Sequence, residues 1–367
     1  MRHKVFSTIR IILGSIYILS GLIKLNDPWG TAFKLEEYFQ LFAQEFSKGF
    51  SFFIPHCLSI SVLISALEVI LGVALILRWR PRITLSAATL LIVFFTLLTW
   101  YAWGSGKMKE CGCFGDMIKL TAFTSFLKDL FLLVLTLSLW ADVKVLNEGW
   151  RKDIYILATT LFAFSFGGHA IAHLPYYDPL PFKTGNNIPT LLKPEEAPRF
   201  VYIVRKGEEV KEVVSYPTDT TWKLDSLYIS NPEKAYPKIL DYSMIDAEGN
   251  NWADSTLKGK VLLVIIRNVS VVSAYSNVED QMKKVWTLTN AAEKDGFKVW
   301  ALTTSPLDEL EDFRHSKRLT AAPLNADETM LRMMLRAQCG IIWLENGKVK
   351  GKWHYNDIPE ITEIKNQ

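Results

Sequence analysis

Residues 57–77 read CLSISVLISALEVILGVALIL, an apolar run with one charged side chain, that of Glu68. An α-helix rises about 1.5 Å per residue, so a run of about 20 apolar residues is long enough to cross the hydrocarbon core of a bilayer. The run therefore predicts a transmembrane helix. Glu68 is roughly ten residues from either end, which places it near the middle of the membrane.

Apolar runs of similar length lie on both sides of this one, at residues 5–25, 84–103, 123–140 and 154–174. The first of them follows Met1-Arg2-His3-Lys4 and has the general form of a signal peptide. No small-residue cleavage site follows it, so we interpret it as a retained helix. The sequence thus predicts a membrane all-α bundle with five spans.

Basic residues predict the orientation of these spans. The short connection at residues 78–82 reads RWRPR, and basic residues are enriched in loops on the cytoplasmic side of a membrane. This predicts a cytoplasmic Met1 and a periplasmic C-terminus in a bacterial inner membrane. By parity, residues 26–56, 104–122 and everything after 174 share the periplasmic side. That side then carries Cys57, Cys111, Cys113 and Cys339.

Composition separates the chain into two unlike parts. Of the 367 residues 49% are hydrophobic, with 21 Phe and 12 Trp, and these concentrate before residue 175, while charged residues concentrate after it. The net charge of +3 therefore averages two different halves. No dinucleotide, phosphate or nucleic-acid motif occurs. The lipid bilayer is the partner that the composition predicts.

The loop between the third and fourth predicted spans contains Cys111-Gly112-Cys113-Phe114-Gly115-Asp116. The central glycine lets the backbone bend until the two sulfur atoms meet in a tight ring, and strained disulfides are the labile, catalytic ones. The alternatives are a reduced pair or two ligands of a metal site. Zinc usually requires a second close pair of Cys or His, which the chain lacks. The motif therefore favours redox-active thiols and no metal.

Two other features within the predicted spans have alternative interpretations. A charged carboxylate near the midplane is costly, so Glu68 is expected to be neutral or paired with Lys24 or Lys128 and to mark a functional site. The alternative is a neutral Glu68 that bonds a neighbouring helix. His169 and His173 are four residues apart on one helix face, where exposure to interfacial water is favoured over a shared metal.

These residues together resemble the MauE/DoxX family of membrane proteins. The Cys-Gly-Cys-Phe-Gly-Asp motif, the following Phe126-x-Lys128-Asp129, Glu68 and the segment GLIKLNDP at residues 21–28 carry the resemblance, which covers roughly residues 1–142. It implies a four-helix, redox-associated domain, with MauE linked to disulfide formation in methylamine dehydrogenase maturation and DoxX-type proteins to quinone-coupled thiol or thiosulfate oxidation. The site residues that it implies are Cys111, Cys113, Asp116, Glu68, Lys128 and Asp129.

The rest of the chain divides into three predicted parts: a fifth transmembrane helix at 143–174, a proline-rich connector with a β-hairpin at 175–234, and an α/β domain at 235–367. In the last part we expect strands at 260–266 and 297–302, helices at 274–294, 307–316 and 329–337, and a closing hairpin at 340–344 and 349–353. This pattern resembles a thioredoxin-like domain of the membrane-tethered, TlpA-like kind.

The predicted thioredoxin-like domain lacks the cysteines of that family. Ser270 and Ser273 stand where the family has Cys-x-x-Cys, after the first buried strand. Cys339, followed by Gly340, stands near the position of the family's cis-proline, in a loop that contacts partners. Cys339 is therefore either a lone thiol that faces a docking groove or a buried, inert cysteine.

Two functions follow from these observations. The first is a membrane thiol:disulfide oxidoreductase that oxidises thiols of periplasmic clients through Cys111 and Cys113 and passes electrons to a quinone, with Cys57 and Cys339 as possible exchange or docking partners. The second is a non-enzymatic membrane docking or assembly protein whose thioredoxin-like domain binds clients without redox chemistry. Loss of Cys-x-x-Cys favours docking in one domain, while the Cys-Gly-Cys pair favours redox chemistry in the other.

Overall fold

The computed structural model describes residues 2–108, 120–143 and 150–365. It divides into an N-terminal unit, Met1–Pro179, and a C-terminal unit, Leu180–Gln367. Each unit has hydrophobic clusters of its own, helical in the first and built around a sheet in the second.

Five helices of the N-terminal unit are those predicted from the apolar runs: α1 (Arg2–Asn26), α3 (Cys57–Leu77), α4 (Pro81–Ser105), α5 (Ala122–Ser138) and α6 (Trp150–Ala172). Among the described residues, the helices long and apolar enough to cross a membrane are in these five places. Large apolar side chains such as Leu90, Phe131 and Leu161 point outward and are more than half exposed. Such surfaces are suited to lipid contact. The chain is therefore a multi-pass membrane protein.

Glycines let α1 and α3 pack closely. A Cβ atom on Gly21 would lie 2.7 Å from the carbonyl oxygen of Ser65, and one on Gly72 would lie 2.6 Å from that of Gly14. Both distances are too short for a real Cβ contact, so these positions admit only glycine. Small residues at helix contacts bring backbones together in membranes, where the hydrophobic effect does not drive helix association.

Residues 26–56, expected to be a loop, contain a further helix, α2 (Pro28–Glu45), followed by a 3₁₀ segment at Lys48–His56. The start of α2 follows from local chemistry: the Asp27 side chain accepts a hydrogen bond from Gly30 N at 2.9 Å, and proline occupies the first turn. An aspartate cap before proline is a helix start signal, so this helix was predictable from Asp27 and Pro28.

Polar contacts at the two ends of the bundle agree with the predicted alternation of the helices. At one end Arg78, after α3, lies 3.4 Å from Asp142, after α5, and Lys152 of α6 donates to the Arg78 carbonyl oxygen. At the other end the Asn26 amide donates to the Tyr177 carbonyl oxygen at 2.7 Å. The C-terminal end of α1 and the chain after α6 therefore lie at the same end of the bundle.

In residues 180–365, strands form two sheets. Their bounds are β1 (Phe200–Lys206), β2 (Glu209–Val213), β3 (Lys223–Ile229), β4 (Met244–Ile245), β5 (Lys260–Ile266), β6 (Lys298–Thr303), β7 (Ala322–Ala326), β8 (Cys339–Glu345) and β9 (Lys348–His354). The larger sheet has the order β9-β8-β5-β6-β7-β4, and the smaller has the order β2-β1-β3.

The larger sheet has the thioredoxin-like arrangement that the sequence predicted. Strands β5 and β6 are parallel, whereas β8 is antiparallel to β5 and forms a hairpin with β9. Residues 261–266 of β5 are fully buried, as expected of a continuous apolar strand covered on both faces. Helices of this unit are α7 (Ile188–Leu191), α8 (Pro232–Ala235), α9 (Ala253–Thr256), α10 (Val269–Ser273), α11 (Val278–Lys294), α12 (Leu307–Lys317), α13 (Glu328–Met334) and α14 (Ile361–Lys365).

The predicted helix at 274–294 is wrong at its start. The structure has the short α10 first, capped by the Asn268 side chain, which accepts from Val271 N at 3.0 Å, and α11 begins only at Val278. Strand β7 was not predicted, because Ala322 and Pro323 in a five-residue segment resemble a loop more than a strand.

The predicted connector is only partly a separate element. Its hairpin, β1 with β2, is confirmed, and β3 adds an unpredicted third strand. Phe182 and Ile188 are fully buried, and Ile188 N donates to the Gly347 carbonyl oxygen at 2.8 Å. The chain from Leu180 onward thus packs as part of the C-terminal unit.

Candidate functional site

A small cavity with charged and apolar lining residues lies among α1, α3, α4 and α5 in the N-terminal unit. It offers about 30 Å³ to the centres of water molecules. A single water needs roughly 10–15 Å³ on this measure, so the cavity has room for about two. Its lining residues are Ile16, Tyr17, Ser20, Lys24, Glu68, Ile92, Phe95, Lys128, Asp129 and Leu132.

Glu68 forms a buried ion pair with Lys24, one of its two predicted partners. The Lys24 ammonium donates to Glu68 Oε1 and lies 4.3 Å from the centre of the Phe95 ring. Both charged side chains are about 95% buried. Glu68 Oε2 is also buried and, in the part of the chain that the structure describes, has no hydrogen-bond partner. It is therefore an acceptor that a water or a ligand hydroxyl can use.

A second ion pair joins two neighbours on α5. Lys128 Nζ lies 2.8 Å from Asp129 Oδ1. The Asp129 side chain is 2% exposed and that of Lys128 is 25% exposed, so the carboxylate is inside the bundle while the lysine reaches its surface. Two ammonium groups and two carboxylates thus line the cavity, and their formal charges cancel.

Helix periodicity places these groups together. Tyr17, Ser20 and Lys24 are spaced by three and four residues, which puts them on one face of α1. The Tyr17 hydroxyl donates to the Ala88 carbonyl oxygen at 3.2 Å. Of these cavity residues, Lys24 was predicted from the sequence, whereas Tyr17, Ser20 and Phe95 were not. The spacing on α1 was available as a signal for the first two, whereas nothing local marks Phe95.

Hydroxyl groups lie on the same faces of α3 and α5, nearer to one end of the bundle. On α3, Ser65 donates to the Ser61 carbonyl oxygen at 2.7 Å, and Ser61 donates to that of Pro28 at 2.9 Å. On α5, Ser125 precedes Asp129 by one turn. Its Oγ is buried and has no hydrogen-bond partner within residues 2–108, 120–143 and 150–365.

Three predicted site residues, Cys111, Cys113 and Asp116, lie outside the described residues. The chain on either side of their loop is anchored at the end of the bundle that carries α2. Met108 is buried in a cluster with Tyr38 and Ala122. These contacts place both ends of the Cys-Gly-Cys loop beside the start of α5.

An ion pair stabilises the segment just before the Cys-Gly-Cys loop. Lys107 bonds the carboxylate of Glu45 at the end of α2. The hydrogen bond from Lys107, followed by one from Tyr101, lowers the pKa of the Glu45 carboxyl below its usual value. Glu45 is therefore charged at neutral pH and holds the segment before the loop against α2.

The two described cysteines are both free and buried. The Cys57 thiol donates to the Phe53 carbonyl oxygen at 3.5 Å. Cys339 is fully buried in the core beside Ile341, and burial raises the pKa of its thiol to about 12. Of the two interpretations of Cys339, the structure supports a buried cysteine rather than a thiol that faces a groove.

Ser270 and Ser273 lie on α10, directly after β5, where the sequence placed the missing Cys-x-x-Cys. Ser270 is exposed, and the Ser273 hydroxyl donates to the Val269 carbonyl oxygen at 2.7 Å. Neither hydroxyl can form a disulfide.

His169, near the end of α6, and His173, just after this helix, lie side by side with their rings tilted. The rings of His169 and His173 are 4.4 Å apart between centroids, and Tyr176 stacks on His169. Across the described residues, no group of three or more His, Cys, Asp or Glu side chains is placed to hold a metal ion.

Comparison with known proteins bears on the membrane part of the chain. Residues 2–142 match the family model of the methylamine utilisation protein MauE. The predicted MauE resemblance is thereby confirmed over the segment that contains every residue lining the cavity, while α6 and the C-terminal unit lie beyond the match.

Among solved structures, the chain is similar to the solution structure of a thiol:disulfide interchange protein from Bacteroides sp.. The identity is 14% and the TM-score 0.26, and the alignment covers 30% of this chain and 75% of that chain. The comparison with curated proteins gave no match.

Proposed function

We propose that this protein is a membrane thiol:disulfide oxidoreductase. Cys111 and Cys113 form a disulfide on the periplasmic side of the inner membrane, oxidise client thiols there, and pass electrons to a quinone in the lipid. The observation that carries the proposal is the cavity with two ion pairs, inside the segment that matches MauE and lined in part by the helix that follows the Cys-Gly-Cys loop.

The balance of the reaction explains why such a cavity is needed. Converting two thiols into one disulfide releases two electrons and two protons. An acceptor in the lipid must receive both, although hydrocarbon contains no groups that carry protons. Carboxylates and ammonium groups inside a transmembrane bundle commonly mark proton or substrate pathways. Glu68 and Asp129 supply such groups here.

The chemistry of the side chains fits a quinone. The Lys24 and Lys128 ammonium groups are hydrogen-bond donors suited to a carbonyl oxygen, and Glu68 Oε2 is an acceptor suited to a hydroxyl. When bound, a quinone supplies an acceptor for two electrons and two protons. Because the cavity has room for only about two waters, a quinone ring would stay outside it, and these residues would pass protons toward the ring.

The periplasmic location of the loop is part of the proposal. Arg78, Arg80 and Arg82 lie at the opposite end of the bundle from the ends of the Cys-Gly-Cys loop, and basic residues favour the cytoplasmic side. The thiols then lie in an oxidising compartment, where disulfide chemistry persists.

A specific observation favours docking as the role of the C-terminal unit. Serines occupy its expected redox position, and its one cysteine, Cys339, is fully buried. A thioredoxin-like domain without an accessible thiol can bind a client but cannot exchange disulfides with it. In this proposal the C-terminal unit binds the client protein and the membrane domain oxidises it. If the membrane domain lacked activity, docking or assembly would remain as the function.

Thiol oxidation by the full-length protein tests the proposal. The protein is reconstituted in liposomes with a short-chain quinone, and loss of thiols from a reduced dithiol peptide is followed. The wild type and Cys57→Ser are expected to oxidise the peptide, whereas Cys111→Ser and Cys113→Ser are expected to be inactive. Equal rates for the wild type and the Cys111→Ser/Cys113→Ser double variant would refute the proposal.

A further inference from the structure

Three features of the cavity and of the neighbouring turn of α5 are not explained by ion pairing alone. The cavity volume admits about two waters, yet Lys24 already neutralises Glu68 without them. Glu68 Oε2 is buried with no hydrogen-bond partner among the described residues. The hydroxyl of Ser125, one turn before Asp129 on α5 and outside the cavity lining, is likewise buried without a partner in the described chain. A buried polar atom without a partner is costly, so a water is expected beside each.

We propose that Glu68 and Asp129 exchange protons through two waters held in this cavity, and that Ser125 connects the cavity to the end of the bundle that carries the Cys-Gly-Cys loop. The titratable groups facing the cavity are Tyr17 and Lys24 from α1, Glu68 from α3, and Lys128 and Asp129 from α5, while α4 contributes the apolar Ile92 and Phe95. Because the four charges cancel, one added proton leaves the site with a net charge of only +1.

The direction of the proposed proton path follows from which serine hydroxyls already donate a hydrogen bond. Ser61 and Ser65 on α3 both donate to backbone carbonyl oxygens, and those bonds fix their protons. Ser125 is not held in this way within the described chain, and it lies on the same face of α5 as Asp129, one turn nearer the start of the helix. That start, Ala122, closely follows the Cys-Gly-Cys loop.

The inference rests on the proposed function for the source and the destination of the protons. Each disulfide formed at Cys111 and Cys113 releases two protons at the loop, and the quinone takes up two protons with the two electrons. The waters and carboxylates carry protons only, so no residue of the path is oxidised or reduced.

Infrared spectroscopy tests the proton exchange without any quinone or thiol reaction. The full-length protein in bilayers is titrated, and the C=O stretch of protonated carboxyl groups is recorded. Glu68→Gln is expected to remove one band, and Asp129→Asn to move the frequency of that band, because the two carboxyl groups share hydrogen-bonded waters. Glu45→Gln is the matched control, because Glu45 also pairs with a lysine but lies outside the cavity. A Glu68 band that Asp129→Asn leaves unmoved would overturn the proposal.

Ser125→Ala tests the connection to the loop. Its matched control on the same helix is Ser138→Ala, whose hydroxyl donates to the Leu135 carbonyl oxygen at 2.7 Å. Ser125→Ala is expected to slow disulfide formation by a factor approaching ~10² and to enlarge its solvent deuterium isotope effect, with thermal stability retained. An unchanged rate and isotope effect would overturn the role of Ser125. If the wild type oxidises no thiol, the proposed function fails, while the infrared coupling still decides the proton exchange.

Discussion

Replacing Lys24 by methionine removes one half of the buried ion pair and leaves Glu68 in a site where its side chain is 4% exposed. Breaking a buried pair on one side typically costs about 3–5 kcal/mol, because the remaining charge loses its compensation. In a unit the size of Met1–Pro179, each kcal/mol lowers the unfolding temperature by roughly 2–4 °C. Lys24→Met is therefore expected to lower it by roughly 6–20 °C.

A double variant distinguishes charge compensation between Lys24 and Glu68 from simple packing of their side chains. Lys24→Met/Glu68→Met replaces both charged groups by apolar chains of similar length, an exchange that is often neutral or stabilising by about 1–4 kcal/mol. The double variant is therefore expected to unfold near the wild-type temperature. Glu68→Met alone, which leaves Lys24 uncompensated, is expected to be destabilised like Lys24→Met.

Thermal unfolding of the full-length protein in detergent micelles, followed by circular dichroism, measures all four proteins. The partly exposed pair Lys34–Glu37, at 3.1 Å, is the control, and its cycle is expected to give only about 0.2–0.5 kcal/mol. If the stability losses of the two single variants add up in the Lys24/Glu68 double variant, the two charged groups do not compensate each other. The account of the site would then be wrong.

Further predictions concern the C-terminal unit and the orientation. Cys339 is expected to resist alkylation in the folded protein at neutral pH, and fast labelling there would contradict its burial. Burial raises the pKa of the Cys339 thiol from 9.0 to about 12, so with rising pH this thiol ionises in the unfolded chain before it does so in the folded protein. The free energy of unfolding is therefore expected to fall as the pH rises above about 9. The same alkaline dependence in Cys339→Ser would refute this. Cys339→Ser is expected to keep full thiol-oxidising activity, and a disulfide trapped between Cys339 and Cys111 in Cys113→Ser would refute that. A membrane-impermeant maleimide should label exposed Val214→Cys in cells with a permeabilised outer membrane, but Arg151→Cys only after lysis; the opposite pattern would reverse the orientation.

The membrane part of the fold was predictable because lipid requires long apolar helices, and each such run in the sequence is a helix in the structure. The partner of Glu68 was narrowed to two lysines by the scarcity of charges in the spans. Which lysine bonds it depends on the close approach of α1 and α3 at Gly21, a tertiary property that no local pattern shows.

Other elements escaped prediction for local reasons. Helix α2 lies between two spans, and its polar residues resembled a loop although Asp27 and Pro28 signal a helix start. Strand β7 is held by its neighbours β6 and β4 rather than by its own composition. The burial of Cys339 follows from its place at the start of β8, between the sheet and its helices, so its exposure could not be read from a single cysteine.

The central claim is that Cys111 and Cys113 cycle between thiols and a disulfide, and the redox state of these thiols tests it most directly. The reduced full-length protein is incubated in liposomes with and without a quinone, quenched in acid, unfolded and alkylated, and its peptides are analysed by mass spectrometry. The account predicts that the quinone converts Cys111 and Cys113 from alkylated thiols into a linked pair, while Cys57 and Cys339 are alkylated in both samples. Full alkylation of Cys111 and Cys113 in the presence of the quinone would contradict it.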